Sequence, residues 1–259
     1  MIESNITLRT ADGQMPVFIV HPDEEGPFPV VLFYMDALGI REELRDMARR
    51  CASAGYFAIL PDLYYRWGCP NFDPAPLAQG ILDPKMIELN SLLSLPMTAA
   101  DTAAMLEHVA GDPAARLPAG TVGYCMGGRH ALGAAAAHAG QIAAFASLHG
   151  GRLVVDTPQS PHLSVAKTST AEAYFGWADN DETAPPEHMR VIKAALAARG
   201  GRHRVELHEG ALHGFTFPER YCYHKRAAEQ VWARLFAMFR RNLHEPAEQG
   251  LLNREGRRA

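Results

Sequence analysis

Several kinds of protein are excluded by what this chain lacks. No stretch of its 259 residues approaches the roughly 20 consecutive apolar residues of a bilayer span. The start, Met1-Ile2-Glu3-Ser4-Asn5, carries an acid and no hydrophobic run, so no secretory leader and no membrane partner are expected. There are only four cysteines, Cys51, Cys69, Cys125 and Cys222, and none are in C-x-x-C spacing. That is too sparse for a disulfide-stapled domain, and free thiols in a reducing cytoplasm are the expectation. Basic residues do not predominate: 25 Lys and Arg stand against 29 Asp and Glu, net −4, with no dense basic stripe, so nucleic acid is not an expected partner. The histidines and cysteines show no zinc-ligand spacing, and internal repeats and low-complexity tracts are missing.

What is present is an ordinary globular composition, 47% hydrophobic, in a chain long enough to bury a large core. A single domain over 1–259 is the expectation. Ile6 to Arg9 and Val17 to Val20 read as strands around Asp12-Gly13, a turn-forming pair, so a hairpin opens the chain. Val30-Val31-Leu32-Phe33-Tyr34 is apolar throughout, the pattern of a parallel strand covered on both faces. A helix is expected over Glu42 to Ala54, followed by a strand from Tyr56 to Leu60.

Between Asp62 and Pro96 five interrupting residues, Gly68, Pro70, Pro74, Pro76 and Pro84, break any long element. An irregular excursion with short helices, roofing the active site, is expected there. Further strands are expected at Thr121 to Tyr124, Phe145 to Leu148, Ala173 to Trp177 and Val205 to Leu207. Helices are expected at Thr98 to Val109, Gly128 to His138, Glu187 to Ala198 and Lys225 to Asn242, before a polar tail over 245–259. Such alternation implies an α/β fold with a doubly wound, mostly parallel central sheet and helices on both faces. Because that architecture hosts many functions, function has to come from a site.

The sharpest local signal is Gly123-Tyr124-Cys125-Met126-Gly127-Gly128, between a strand and an Ala-rich helix. An isolated cysteine is most often a buried structural thiol. Here, small residues two before and two after clear the neighbouring chain, as a nucleophile on a tight strand-to-helix turn requires. The helix N-terminus behind it aims positive dipole at the thiol and favours the thiolate.

A thiol nucleophile needs a base. Glu209-Gly210-Ala211-Leu212-His213-Gly214-Phe215 offers His213 after a late strand, with His208 as its nearest rival, while His138, His149, His203 and His224 read as surface or helix-end residues. An acid must hold the imidazole, and Asp179-Asn180-Asp181-Glu182 supplies three carboxylates after the preceding strand. The resulting order of nucleophile, acid, histidine is that of α/β-hydrolases.

These residues together resemble the dienelactone hydrolases, also called carboxymethylenebutenolidases. The likeness runs from the strand at Val30 through Asp62-Leu63-Tyr64, the elbow, the Asp181 to Pro185 segment and Leu212-His213-Gly214-Phe215. It implies an α/β-hydrolase fold with Cys125, His213 and Asp181 as catalytic triad, Asp179 being the second candidate for the acid. The family also holds its resting thiol with an acid after the first central strand, usually glutamate. Here Asp36 takes that place, one methylene shorter. The oxyanion hole would come from the N–H groups of Ala37 and Met126.

The chemistry so implied is hydrolysis of a small-molecule ester or lactone through a thioester, with no metal or organic cofactor. Family members acting on dienelactone carry an arginine shortly after the histidine. In this chain Phe215-Thr216-Phe217 fills that stretch, with Arg220 further along, which points to a less anionic substrate. Tyr64, Trp67 and Phe217 are expected to line the pocket. A thiol acyltransferase and a non-catalytic ligand-binding relative are the alternatives.

Overall fold

The computed structural model describes residues 1–168 and 170–244, so the expected tail over 245–259 lies outside the described residues. The apolar runs without polar alternation set the middle of its sheet. β3 (Phe28–Tyr34) is buried from Pro29 onward and β4 (Phe57–Pro61) is buried throughout, as strands covered on both faces must be. β1 (Ile2–Thr10) and β2 (Gly13–His21) form the opening hairpin, with β1 alternating between half-buried and exposed residues at the sheet edge.

β5 (Ala115–Tyr124), β6 (Ile142–Leu148), β7 (Glu172–Asn180) and β8 (His203–Leu212) complete an eight-stranded sheet of order β1-β2-β4-β3-β5-β6-β7-β8. The β1–β2 and β2–β4 pairings are antiparallel, and every other pairing is parallel. Among the described residues no helix is long and apolar enough to cross a membrane.

Neighbouring residues of β5 show how both faces are covered. An added Cβ at Gly120 would lie 2.7 Å from Phe239 of α6 (Lys225–Leu243), whereas the hydroxyl of Thr121 donates to the Ala131 carbonyl of α4 (Met126–Ala137) at 3.3 Å. Successive strand residues point to opposite faces, so α6 and α4 lie on opposite sides of the sheet. On the α6 side, α1 (Glu42–Ser53) buries Leu44, Met47, Ala48 and Cys51 and is joined to α6 by the Arg50–Glu229 ion pair at 2.6 Å. α3 (Leu95–Ala110) packs against α4, and α5 (Pro186–Arg199) flanks β8.

The excursion after Asp62 consists of short 3-10 turns at Tyr65–Trp67 and Ala75–Gln79, then α2 (Pro84–Leu92), whose N-terminus is capped by the Asp83 carboxylate. β7 and β8 run further than their apolar residues indicate. β8 is an edge strand, so His208-Glu209-Gly210 can continue the ladder without having to match a buried pattern. The extension matters because Asn180 pairs with Leu212 in parallel register. The next residue on each strand is therefore Asp181 and His213, emerging side by side at the carboxyl edge, where open α/β sheets bind ligands.

The close approach at Gly120 is open to direct test. Gly120→Val should destabilise the protein by about 1–3 kcal/mol, as overpacking of a filled core does, read as a lower urea midpoint at unchanged slope. An unchanged midpoint would mean that α6 does not pack where described.

Candidate active site

Cys125 ends β5 and begins α4 with φ 53° and ψ −116°, a conformation that costs an L-residue about 1–3 kcal/mol. The surrounding backbone holds it there. Its N–H donates to the Leu148 carbonyl (3.0 Å), and its own carbonyl accepts from Gly128 (3.0 Å) and Gly151 (3.2 Å). A Cβ at Gly123 would lie 1.9 Å from the Gly127 carbonyl oxygen, one at Gly127 2.2 Å from that of Tyr34, and one at Gly128 2.3 Å from Ser147 Oγ. Each elbow glycine thus admits a specific contact among β5, α4, β3 and β6. Cys125 remains partly exposed between two buried neighbours, Tyr124 and Met126.

Beside the thiol stands His213, within side-chain hydrogen-bonding reach. Its Nδ1 lies 2.7 Å from Asp181 Oδ2, which leaves Nε2 for Cys125. Asp181 Oδ1 in turn accepts from the Thr183 hydroxyl (2.6 Å) and the Thr183 N–H (2.9 Å). The carboxylate is thereby locked by a residue two positions later, an Asx-type turn readable as D-x-T once the acid is known. The other acid candidate, Asp179, is exposed and accepts the Gly210 N–H instead (3.1 Å). His208 sits within β8, buried, 3.4 Å from the Tyr174 hydroxyl.

Charge is shared across this group. Burial pushes the Cys125 thiol up, but the His213 cation and its hydrogen bond outweigh burial, and the thiol ends below its ordinary value. Burial works against the His213 cation as well, yet Cys125 and Asp181 hold the imidazole well above its usual range. Asp181 is likewise raised by burial and brought down overall by His213 and Thr183. Each of these shifts favours the charged form: thiolate at Cys125, imidazolium at His213 and carboxylate at Asp181.

Other expected residues are placed differently. Asp36, expected to hold the resting thiol, has its carboxylate taken by Arg41 (2.7 and 3.2 Å), by the Leu38 N–H (3.2 Å) and by Arg220. Two guanidiniums fill the acceptor sites of this short side chain, and its charge acts on Cys125 only through space, opposing the thiolate. Arg41 also binds Glu43 (2.7 Å), which accepts the Glu219 N–H (2.8 Å), so a buried ionic network ties the β3 loop to the segment after His213.

Tyr64 and Phe217, expected to line a pocket, expose no surface. The Tyr64 hydroxyl contacts the Ala37 carbonyl (3.1 Å) and Met126 Sδ (3.3 Å), bracing both residues expected to form the oxyanion hole. Phe217 carries the guanidiniums of Arg41 and Arg220 over its ring, at 4.9 and 4.2 Å from its centroid. Trp67 is half-buried and packs edge-on against Tyr64.

His149 reads as a surface residue in sequence but is buried. Its ring lies 5.3 Å from that of His213, its Nε2 is 2.8 Å from the Thr216 hydroxyl, and burial holds it well below the usual imidazole range. Its position straight after β6, beside the elbow strand, was the available signal. A cavity of about 730 Å3 opens at His213 and Asp181, bordered by Arg220, Tyr221 and, from the excursion, Leu77 and Leu82.

The profile of the dienelactone hydrolase family matches residues 15–243. The chain belongs to the dienelactone hydrolase family. It is 31% identical over 251 residues to a "Putative carboxymethylenebutenolidase" of Salmonella typhi, covering 92% of this chain and 87% of that protein. The "Carboxymethylenebutenolidase" of Rhodococcus opacus is 24% identical over 238 residues, 89% of this chain and 88% of that one. The crystal structure of a "Putative Dienelactone Hydrolase" from Klebsiella pneumoniae superposes with a TM-score of 0.81 at 25% identity, covering 92% and 98% of the two chains. The sheet with helices on both faces is thus the α/β-hydrolase fold of this family.

Iodoacetamide labelling of Cys125 across pH, read by peptide mass spectrometry, checks the charge arrangement. The midpoint should lie below that of an ordinary thiol. His213→Ala removes the opposing cation and leaves burial, so the midpoint should move upward. A midpoint that stays in place would rule out the ion pair.

Proposed function

We propose that this chain hydrolyses a carboxylic ester or lactone, with Cys125 as nucleophile, His213 as acid and base, and Asp181 as the carboxylate that orients the imidazole. One observation carries the reading: a strained, partly exposed thiol stands against an imidazole whose far nitrogen is 2.7 Å from a buried carboxylate. The names of the relatives, which refer to lactone cleavage, agree with it.

In this scheme the Cys125 thiolate attacks the carbonyl carbon and forms a C–S bond. The oxyanion is met by the N–H groups of Ala37 and Met126. Met126 occupies the first helical position, where the backbone N–H has no intrahelical acceptor, and Tyr64 holds the two residues together. The C–O bond then breaks, and the leaving oxygen takes the proton from His213. For a lactone this oxygen stays tethered to the acyl chain. A water molecule gives a proton to His213 and attacks the thioester, and collapse returns the thiolate and a carboxylic acid. Every proton in the cycle passes through His213, so Asp181 serves by holding the ring with Nε2 toward sulfur and by favouring its cation.

Aryl ester and simple lactone hydrolysis by the native protein, Cys125→Ala and His213→Ala tests the proposal. Each substitution should lower kcat by about 10³-fold or more while circular dichroism stays unchanged. Unaltered turnover in Cys125→Ala would overturn the assignment of the nucleophile. Silence of the native protein across the panel would favour a ligand-binding role, and transfer to added alcohol in preference to water would favour an acyltransferase.

A further inference from the structure

A second cavity, of about 690 Å3, shares no lining residue with the one at His213. It lies between the start of α3, α4 and the segment after β6, and its size is in the range of small-molecule sites, roughly 300–1,000 Å3. Its charges are all of one sign. Arg129, Arg152 and Lys167 line it, and no Asp or Glu does. The cavity at His213, by contrast, holds Asp179, Asp181 and Glu182 against Arg220.

Arg129 is the informative member. It is 7% exposed, and no carboxylate pairs with it among the described residues. Its partners are the carbonyl and side-chain oxygen of Asn90, both reached by Nη2 (2.7 and 2.6 Å), and none is found there for Nε or Nη1. Burial pushes this guanidinium down to about 10, the Cys125 charge opposes that shift only in part, and Arg152 nearby pushes in the same direction as burial. A buried cation that no carboxylate pairs, facing a like charge across an open cavity, is a costly arrangement that an anion would relieve. Arg152 and Lys167 are exposed, and the Arg152 guanidinium already donates to the Ser91 hydroxyl on the cavity wall (3.3 Å). The rest of the wall includes Leu93, Leu95, Val155 and Leu163, so the body of the ligand should be apolar.

We infer that this cavity is a binding site for an organic carboxylate with an aliphatic or aryl body, its carboxylate held by Arg129 and Arg152 and its apolar part lying along the leucines. An apolar wall disfavours a small, heavily hydrated anion, while a planar carboxylate suits guanidinium donors. The site adjoins the catalytic elbow without being part of it. Arg129 follows Cys125 by one helical turn, and Arg152 follows Gly151, whose N–H binds the Cys125 carbonyl. Binding here requires no reaction at Cys125, whose charge reaches Arg129 only through space.

Octanoate and octanamide, the same chain with and without charge, are suitable probes, titrated calorimetrically at low ionic strength into the native protein and into Cys125→Ala. Octanoate should bind both proteins, no more weakly to Cys125→Ala, and at least about tenfold more tightly than octanamide. Arg129→Gln should weaken octanoate by about tenfold and leave octanamide unaffected. Should that variant fail to fold, the exposed double substitution Arg152→Gln with Lys167→Gln should weaken octanoate in the same selective way. Equal binding of acid and amide, undiminished octanoate binding in the charge-removed variants, or no octanoate binding at all would each overturn the inference.

Discussion

The site depends on one steric constraint: the N-terminus of α4 must come close enough to β3, β5 and β6 for Cys125 to stand at a left-handed turn. Glycine is required wherever a Cβ would strike backbone, at Gly123 against Gly127 and at Gly127 against Tyr34. The strain at Cys125 is sustained because a hydrogen bond to the Leu148 carbonyl and others from the Gly128 and Gly151 N–H groups over-determine its backbone. The same closeness places the thiol at the open end of a helix dipole and beside the loop from β3 that carries Ala37.

Electrostatics acts on that geometry. Burial disfavours charge on both Cys125 and His213, and each favours the charged form of the other. Asp181 tips the balance toward the imidazolium, and Thr183 fixes which way that carboxylate faces. Asp36 has the opposite effect on the thiolate, and its engagement by Arg41 and Arg220 keeps its lone pairs off the sulfur. The ionic network of Asp36, Arg41, Glu43 and Arg220 then serves as a frame that fastens the segment after His213 to α1 and the β3 loop.

Much of this was legible in the chain itself. Unbroken apolar runs marked β3 and β4, the opening hairpin was legible although it turns at Ala11-Asp12, one residue before the expected Asp12-Gly13, and the elbow announced itself through glycine spacing beside a strand and an Ala-rich helix. Less legible were the ends of β7 and β8, since an exposed edge strand carries polar residues that resemble a loop. Aromatic residues near the site misled for a related reason. Tyr64 and Phe217 have chemistry suited to a pocket wall, but that chemistry serves equally to brace a backbone or to seat two guanidiniums, and sequence spacing does not separate these uses.

The sequence by itself determined the layered α/β architecture, the identity of the strained thiol and the chain order of Cys125, the acidic segment and His213. These depend on local rules: hydrophobic period, turn chemistry and the space a glycine leaves. Tertiary structure alone decided which acid meets His213, because Asp179 and Asp181 are separated by strand register and not by composition. It also decided that Asp36 belongs to two arginines, that His149 is buried against His213, and that Arg129 borders a cavity lined by no carboxylate. Each of these is a long-range pairing between charged or polar groups, and nothing in the neighbouring sequence specifies the partner.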